Sequence, residues 1–187
     1  MPYGLRLLEC LLQAGIEVEL VYSQAAQVVA KQELNLAWPS MPDEVQSWLC
    51  SELGDFPGQL RVRSRSDWFA PIASGSSPSD AMVICPCSMT TLAKIAAGIS
   101  DNLIVRAADV AIKEHRPLII VPRETPLSPI HLENMLKLAR MGAVILPPSP
   151  GFYHQPQTLL DMVDFVVARI LDQLGIPQQL VARWGCS

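Results

Sequence analysis

Four short strand-like segments, one alternating and three apolar, each separated from the next by segments of helical spacing, constrain this chain more than any other feature. The runs at 17–22, 81–85, 118–121 and 143–146 read as strands. Helical spacing covers 5–12, 25–30, 42–53, 92–97, 107–112, 130–139 and 159–174. Strands alternating with helices predict an α/β fold with a mostly parallel sheet covered on both faces. The stretch 61–79 is polar and rich in Ser, Gly and Pro, so it is expected to be mostly loop. No internal repeat or long linker divides the 187 residues, and a single domain over 1–187 is expected.

A doubly wound sheet commonly begins with a strand whose following turn carries a Gly-rich phosphate loop. This chain opens directly on a helix. Its fold is therefore expected to lack the first strand and that loop, and the native protein is expected to begin upstream of Met1.

Bulk properties exclude several function classes. The net charge of −4 gives no electrostatic reason to expect nucleic acid. No apolar run reaches the roughly 18 residues of a membrane span. The five cysteines are an odd number without framework spacing, which points to reduced thiols in a cytoplasmic protein. Cys85-Pro86-Cys87 is not a CxxC pair, no second Cys/His pair completes a zinc site, and no metal is expected.

Polar blocks gather where chemistry is expected. Pro86-Cys87-Ser88-Met89-Thr90-Thr91, Pro122-Arg123-Glu124-Thr125-Pro126 and Pro150-Gly151-Phe152-Tyr153-His154-Gln155-Pro156 each follow an apolar run; a fourth block spans 106–113. Open α/β sheets bind ligands beyond the carboxyl ends of their strands. Ser88 to Thr91 open a helix, where N–H groups and hydroxyls suit an anion, or where Ser88 is simply an N-cap. Ser23 has the same two readings. Arg123 and Glu124 are either site residues or a structural ion pair. Glu33 is a site acid or a solvated carboxylate at a helix end. Arg169, inside an apolar helix, is solvated, paired, or a phosphate ligand. His115, His131 and His154 lack ligand spacing, and His154 is expected to make structural bonds.

These blocks, with Pro2-Tyr3-Gly4-Leu5-Arg6-Leu7-Leu8, Ala73-Ser74-Gly75-Ser76, Arg106-Ala107-Ala108-Asp109-Val110 and Arg183-Trp184, resemble the UbiX/Pad1 family of flavin prenyltransferases over nearly the whole chain. The resemblance implies a three-layer Rossmann-like flavoprotein fold assembled as a homododecamer. It implies transfer of a dimethylallyl group from dimethylallyl monophosphate to N5 and C6 of reduced FMN, without metal. The prenylated FMN serves a UbiD-type decarboxylase, with ubiquinone biosynthesis the commoner setting. By the same resemblance Ser23, Ser88, Met89, Thr90, Thr91 and Arg123 hold FMN, and Arg106, Lys113, Tyr153 and Arg169 hold the substrate phosphate. Glu33, Ser74, Glu124 and Trp184 are the implied catalytic residues. Gln24 departs from the lysine common in relatives.

Two other readings compete. A flavin-dependent decarboxylase of the related cysteine decarboxylase group would need a histidine near the first helix and a Pro-x-Met-Asn-type motif, and neither is present. A non-catalytic flavin-binding subunit fits the lack of a phosphate loop but not the retention of Tyr153 and Arg169.

Overall fold

The computed structural model describes residues 1–54, 56, 58–182 and 185. In chain order the elements are α1 (Pro2–Gln13), β1 (Val18–Val21), α2 (Gln24–Leu34), α3 (Pro42–Leu53), β2 (Leu60–Arg63), a 3-10 turn (Pro71–Ala73), β3 (Met82–Cys87), α4 (Met89–Ala97), α5 (Leu103–Lys113), β4 (Leu118–Pro122), α6 (Pro129–Arg140), β5 (Val144–Ile145) and α7 (Leu159–Leu174). All strand pairings are parallel. No helix among the described residues is long and apolar enough to cross a membrane.

β4 is buried along its whole length, as its unbroken apolar run requires of a central parallel strand. Successive side chains point to opposite faces. Leu118 and Ile120 pack with Leu92, Ala108, Met135 and Leu138 from α4, α5 and α6. Ile119 and Val121 pack on the other face with Leu7 of α1 and with Val166, Val167 and Ile170 of α7. Each fully buried branched side chain contributes about 1.5–3 kcal/mol relative to exposure.

The strands form two hydrogen-bonded groups, β1-β2 and β3-β4-β5, consistent with the expected lack of a first strand. No described strand pairs with both β1 and β3. Helix α1 touches both strands and lies along α7. There the Arg6 guanidinium donates to both Asp164 carboxylate oxygens, at 2.7 and 3.2 Å, and to Glu9 at 2.8 Å. The pair is largely shielded, so this cross-helix fork is held more firmly than an open surface contact.

β2 corrects the sequence reading, because residues 60–63 lie at the start of the stretch expected to be loop. Leu60 and Val62 point into a core made by Leu8, Leu12, Val45 and Leu49. Arg61 is exposed, and Arg63 pairs with Glu19 of β1 at 3.1 Å. Alternating charges broke the apolar run, yet Leu-Arg-Val-Arg is the pattern of a strand with one buried face.

Local chemistry sets the helix ends. Pro2, Pro42 and Pro129 occupy first-turn positions, where a missing N–H costs nothing. Ser128 and His131 cap α6 reciprocally: the Ser128 N–H donates to His131 Nδ1 at 3.2 Å, and the His131 N–H donates to Ser128 Oγ at 3.3 Å. Thr158 and Asp161 cap α7 in the same way.

Gly4 allows α1 to lie against β3. A Cβ at this position would sit 2.6 Å from the Cys85 carbonyl oxygen, a backbone atom that cannot swing away. Alanine ordinarily stabilises a helix interior by about 1 kcal/mol over glycine. We expect Gly4→Ala to do the reverse here and to cost roughly 1–3 kcal/mol through forced separation of α1 and β3. Thermal denaturation measures it, and an unchanged or raised melting temperature would contradict the packing.

Candidate flavin and phosphate site

Three strand ends deliver polar residues to one edge of the fold. Ser23 follows β1 and caps α2, accepting from the Ala26 N–H at 3.2 Å. Ser88 follows β3 and caps α4, accepting from the Thr91 N–H at 3.2 Å, with the Thr91 hydroxyl 3.0 Å away. Both serines are therefore N-caps, a role that leaves the remaining N–H groups of the helix start for a ligand, since the first turn has no intrahelical acceptors. Thr90 is exposed beside them. Met89 differs: its side chain is buried in the core, so only its backbone N–H can serve a cofactor.

Arg123 follows β4. Its N–H donates to the Cys87 carbonyl at 3.0 Å, joining the ends of β3 and β4. Its guanidinium does not pair with Glu124. It reaches Glu33, in the last turn of α2, at 2.7 Å. The other Glu33 oxygen accepts from the terminal ammonium of Met1, also at 2.7 Å. That ammonium first, and Arg123 with it, hold the Glu33 carboxyl below its ordinary 4.5. Glu124 is exposed, and its carboxylate accepts from the Thr125 N–H at 3.2 Å.

Past β5 the same edge opens into a cleft of about 290 Å³, lined by Val144 to Pro147, Ser149, Phe165, Val166, Arg169 and Gln173. Tyr153 stands edge-on to Phe165, with ring centroids 5.7 Å apart. Phe165 and Arg169 are one turn apart on α7 and therefore share a face. Tyr153 and Arg169 are thus gathered around one side chain that the sequence reading had not singled out. Arg169 is half exposed and donates to Asp172 at 2.8 Å. The other Asp172 oxygen accepts from Gln178 at 3.4 Å. The i,i+3 spacing of Arg169 and Asp172 was the signal available in the sequence.

A separate group lies along α5. Arg106 donates to the Ala73 carbonyl at 2.9 Å and to Asp109 at 3.1 Å, bracing the loop that carries Ser74. The Ser74 hydroxyl lies 2.9 Å from that of Ser76. Lys113, at the helix end, contacts Glu114 at 2.7 Å, and a Cβ at Gly75 would collide with both side chains. Pro117 accepts from the N–H of Met82, the first residue of β3, so α5 ends where β3 and β4 begin. Within one chain, Lys113 is therefore at the opposite end of the strands from Arg123. Trp184 lies outside the described residues.

The described residues hold no cluster of His, Cys, Asp and Glu arranged for a metal. Their donor set fits a flavin mononucleotide: a helix start with exposed hydroxyls and a guanidinium at adjacent strand ends suit an anion and carbonyl edges.

Comparison with known proteins identifies the family. The Flavoprotein family model matches residues 1–171. The chain is 60% identical over 183 residues to the flavin prenyltransferase UbiX of Pseudomonas aeruginosa, covering 98% of this chain and 88% of that one. The solved structure of AnUbiX (PadA1) in complex with FMN and dimethylallyl pyrophosphate is 40% identical, with a TM-score of 0.85, covering 99% of this chain and 91% of that one. A dodecameric FMN-dependent UbiX-like decarboxylase from Escherichia coli is 44% identical, with a TM-score of 0.83, covering 98% of this chain and 92% of that one. This chain belongs to the flavoprotein family, in its UbiX flavin prenyltransferase branch.

Proposed function

We propose that this protein joins a dimethylallyl group from dimethylallyl monophosphate to N5 and C6 of reduced FMN. The observation that carries the reading is the placement of two anion-suited groups on one edge of a chain from this family. The Ser88 helix start with Arg123 stands beyond β3 and β4, and the cleft that holds Arg169, with Tyr153 against its Phe165, lies beside and past β5.

The roles follow from charge and position. Ser23, Ser88, Thr90, Thr91 and the Met89 N–H bind the flavin edge and phosphate, while Arg123, held by Glu33, fixes its orientation. Reduced FMN supplies the nucleophilic atoms that accept the dimethylallyl group. Arg169 and Tyr153 hold the allylic phosphate and stabilise its negative charge as the carbon–oxygen bond breaks. Arg169 exchanges part of its contact with Asp172 for phosphate oxygens, to which its planar fork is matched. Glu124, exposed beside Arg123, and Ser74, supplied by a neighbouring copy, are the candidates for moving protons. Trp184 is assigned the role of facing the developing allylic cation.

Lys113, at the far end of the strands, reaches a phosphate site only from a neighbouring copy, and we assign Lys113 and, with it, Arg106 to that task in a homododecamer. Lys113 is half exposed, so it can project across a subunit contact. The product is assigned to a UbiD-type decarboxylase, in ubiquinone biosynthesis. A cytoplasmic setting is supported by the free Cys10, Cys50, Cys85 and Cys87. Burial pushes the Cys85 and Cys87 thiols up to about 12, which keeps them protonated and unreactive.

The decarboxylase reading has less support. Residues 1–13 contain no histidine; His131 is occupied in the α6 cap, and His115 closes the end of α5. Anaerobic incubation of protein, reduced FMN and dimethylallyl monophosphate should increase the flavin mass by one five-carbon unit. An unchanged flavin would overturn the proposal, and a diphosphate arm tests the choice of phosphoester.

Arg169→Ala should raise the KM for the allylic phosphate about 10- to 100-fold while leaving FMN affinity unchanged. Equal losses of both would remove its assigned role. Lys113→Ala and Arg169→Ala proteins should each be impaired and regain activity when co-assembled; hybrids as poor as the parents would place Lys113 outside the site.

Glu33 links the site to pH. Because its folded carboxyl lies below the unfolded value, its stabilisation is present above the unfolded pKa and is lost as pH falls through the folded one. Glu33→Gln should therefore lower stability at neutral pH and flatten its decline at acid pH. Parallel curves for both proteins in acid denaturation would contradict the pairing.

A further inference from the structure

The loop between β5 and α7 presents Tyr153 with little core beneath it. Phe152, Tyr153 and Gln155 are exposed, and His154 is the side chain of this group that turns inward. Its ring lies flat on Phe165, with centroids 5.1 Å apart and planes 16° from parallel. Tyr153 stands edge-on to His154 at 5.8 Å and 77°, and edge-on to Phe165 at 5.7 Å and 75°. Gly151 packs close on a further side, since a Cβ there would meet Tyr153 Cε1 at 2.7 Å and Phe165 Cζ at 3.5 Å. The tyrosine ring thus sits in a cradle of one glycine and two flat rings.

His154 does not make the structural hydrogen bonds expected of a loop histidine. Both ring nitrogens are sealed from solvent, and neither has a partner. Buried polar atoms are ordinarily satisfied, and an exception calls for a reason. The reason available here is the shape of the ring. A flat aromatic face packs against Phe165 and meets the edge of Tyr153 in the geometry that aromatic pairs favour. Phe165 lies one helical turn before Arg169, and both line the cleft beside β5. The same three-ring stack therefore locates the phenol against the helix face that carries the guanidinium.

We infer that His154 is a positioning residue, acting through its ring to hold Tyr153 in register with Arg169 for binding of an organic phosphate. The inference rests on the reading of Tyr153 and Arg169 as the phosphate grip. His154 does not touch the substrate, and its nitrogens take no part.

The test uses FMN-loaded protein. With oxidised flavin, which cannot turn over, calorimetry measures the Kd for dimethylallyl monophosphate; with reduced flavin, kinetics separate KM from kcat. His154→Ala should weaken Kd and raise KM about tenfold, with kcat changed by less than about twofold. His154→Phe keeps the ring and discards two unpartnered nitrogens. It should keep Kd within about twofold of the parent and raise the melting temperature. If His154→Ala fails to fold, His154→Leu fills the space without a flat ring and should show the same weakened Kd. An unchanged Kd in the ring-less variant that folds, or a His154→Phe protein as impaired as that variant, would overturn the inference. Tyr153→Phe, measured alongside, tests the underlying reading. An intact Kd in that variant removes Tyr153 from the grip, whereas a weakened Kd there with an intact one in His154→Ala removes only the role of His154.

Discussion

Burial of β4 on both faces is the constraint on which the rest of the structure depends. Leu118 and Ile120 draw α4, α5 and α6 to one side, while Ile119 and Val121 draw α1 and α7 to the other. Because the strand is fully enclosed, its position is set by packing from both directions, and the residue that leaves its end inherits that precision. Arg123 is that residue, and its N–H bond to Cys87 locks it to the end of β3. A catalytic or binding edge built on loops alone would have to bear its own ordering entropy. Here the core supplies most of it.

The ion pairs divide by sequence separation, and the division tracks function. Arg106–Asp109 and Arg169–Asp172 are i,i+3 pairs on exposed helix faces. Such pairs contribute only about 0.2–1 kcal/mol in exposed settings, so a phosphate can displace them at small cost. Arg6–Asp164 and Glu33–Arg123 instead join elements distant in the chain. The first ties α1 to α7, the helix that carries Arg169. The second ties α2 to the end of β4. These pairs fix where distant elements stand, while the local pairs hold cationic side chains on exposed helix faces.

Much of the fold was legible because its elements satisfy local rules and global burial together. Residues 42–53 and 159–174 carry capping residues at their starts and an apolar face throughout, and both helices occur with those bounds. β2 was missed for a physical reason: Arg61 and Arg63 interrupt the apolar run, and only pairing with β1 and burial of Leu60 and Val62 make the segment a strand. The division into two strand groups fits the expected lack of a first strand, although alternation alone says nothing about which strands share hydrogen bonds. The candidate site was legible as residue types at strand ends. Its partners were not: nothing in the spacing connects Arg123 with Glu33, ninety residues away.

The chain alone determined the α/β class, the helix caps, the strand-end positions of Ser23, Ser88 and Arg123, and the blocks by which it resembles its family, because these depend on short-range periodicity and local hydrogen bonding. The tertiary structure alone decided which charges meet, that the Met89 side chain is withheld in the core, and how Tyr153 is cradled by His154 and Phe165. Those outcomes depend on how buried faces stack in space, and stacking joins residues without regard to their distance along the polypeptide.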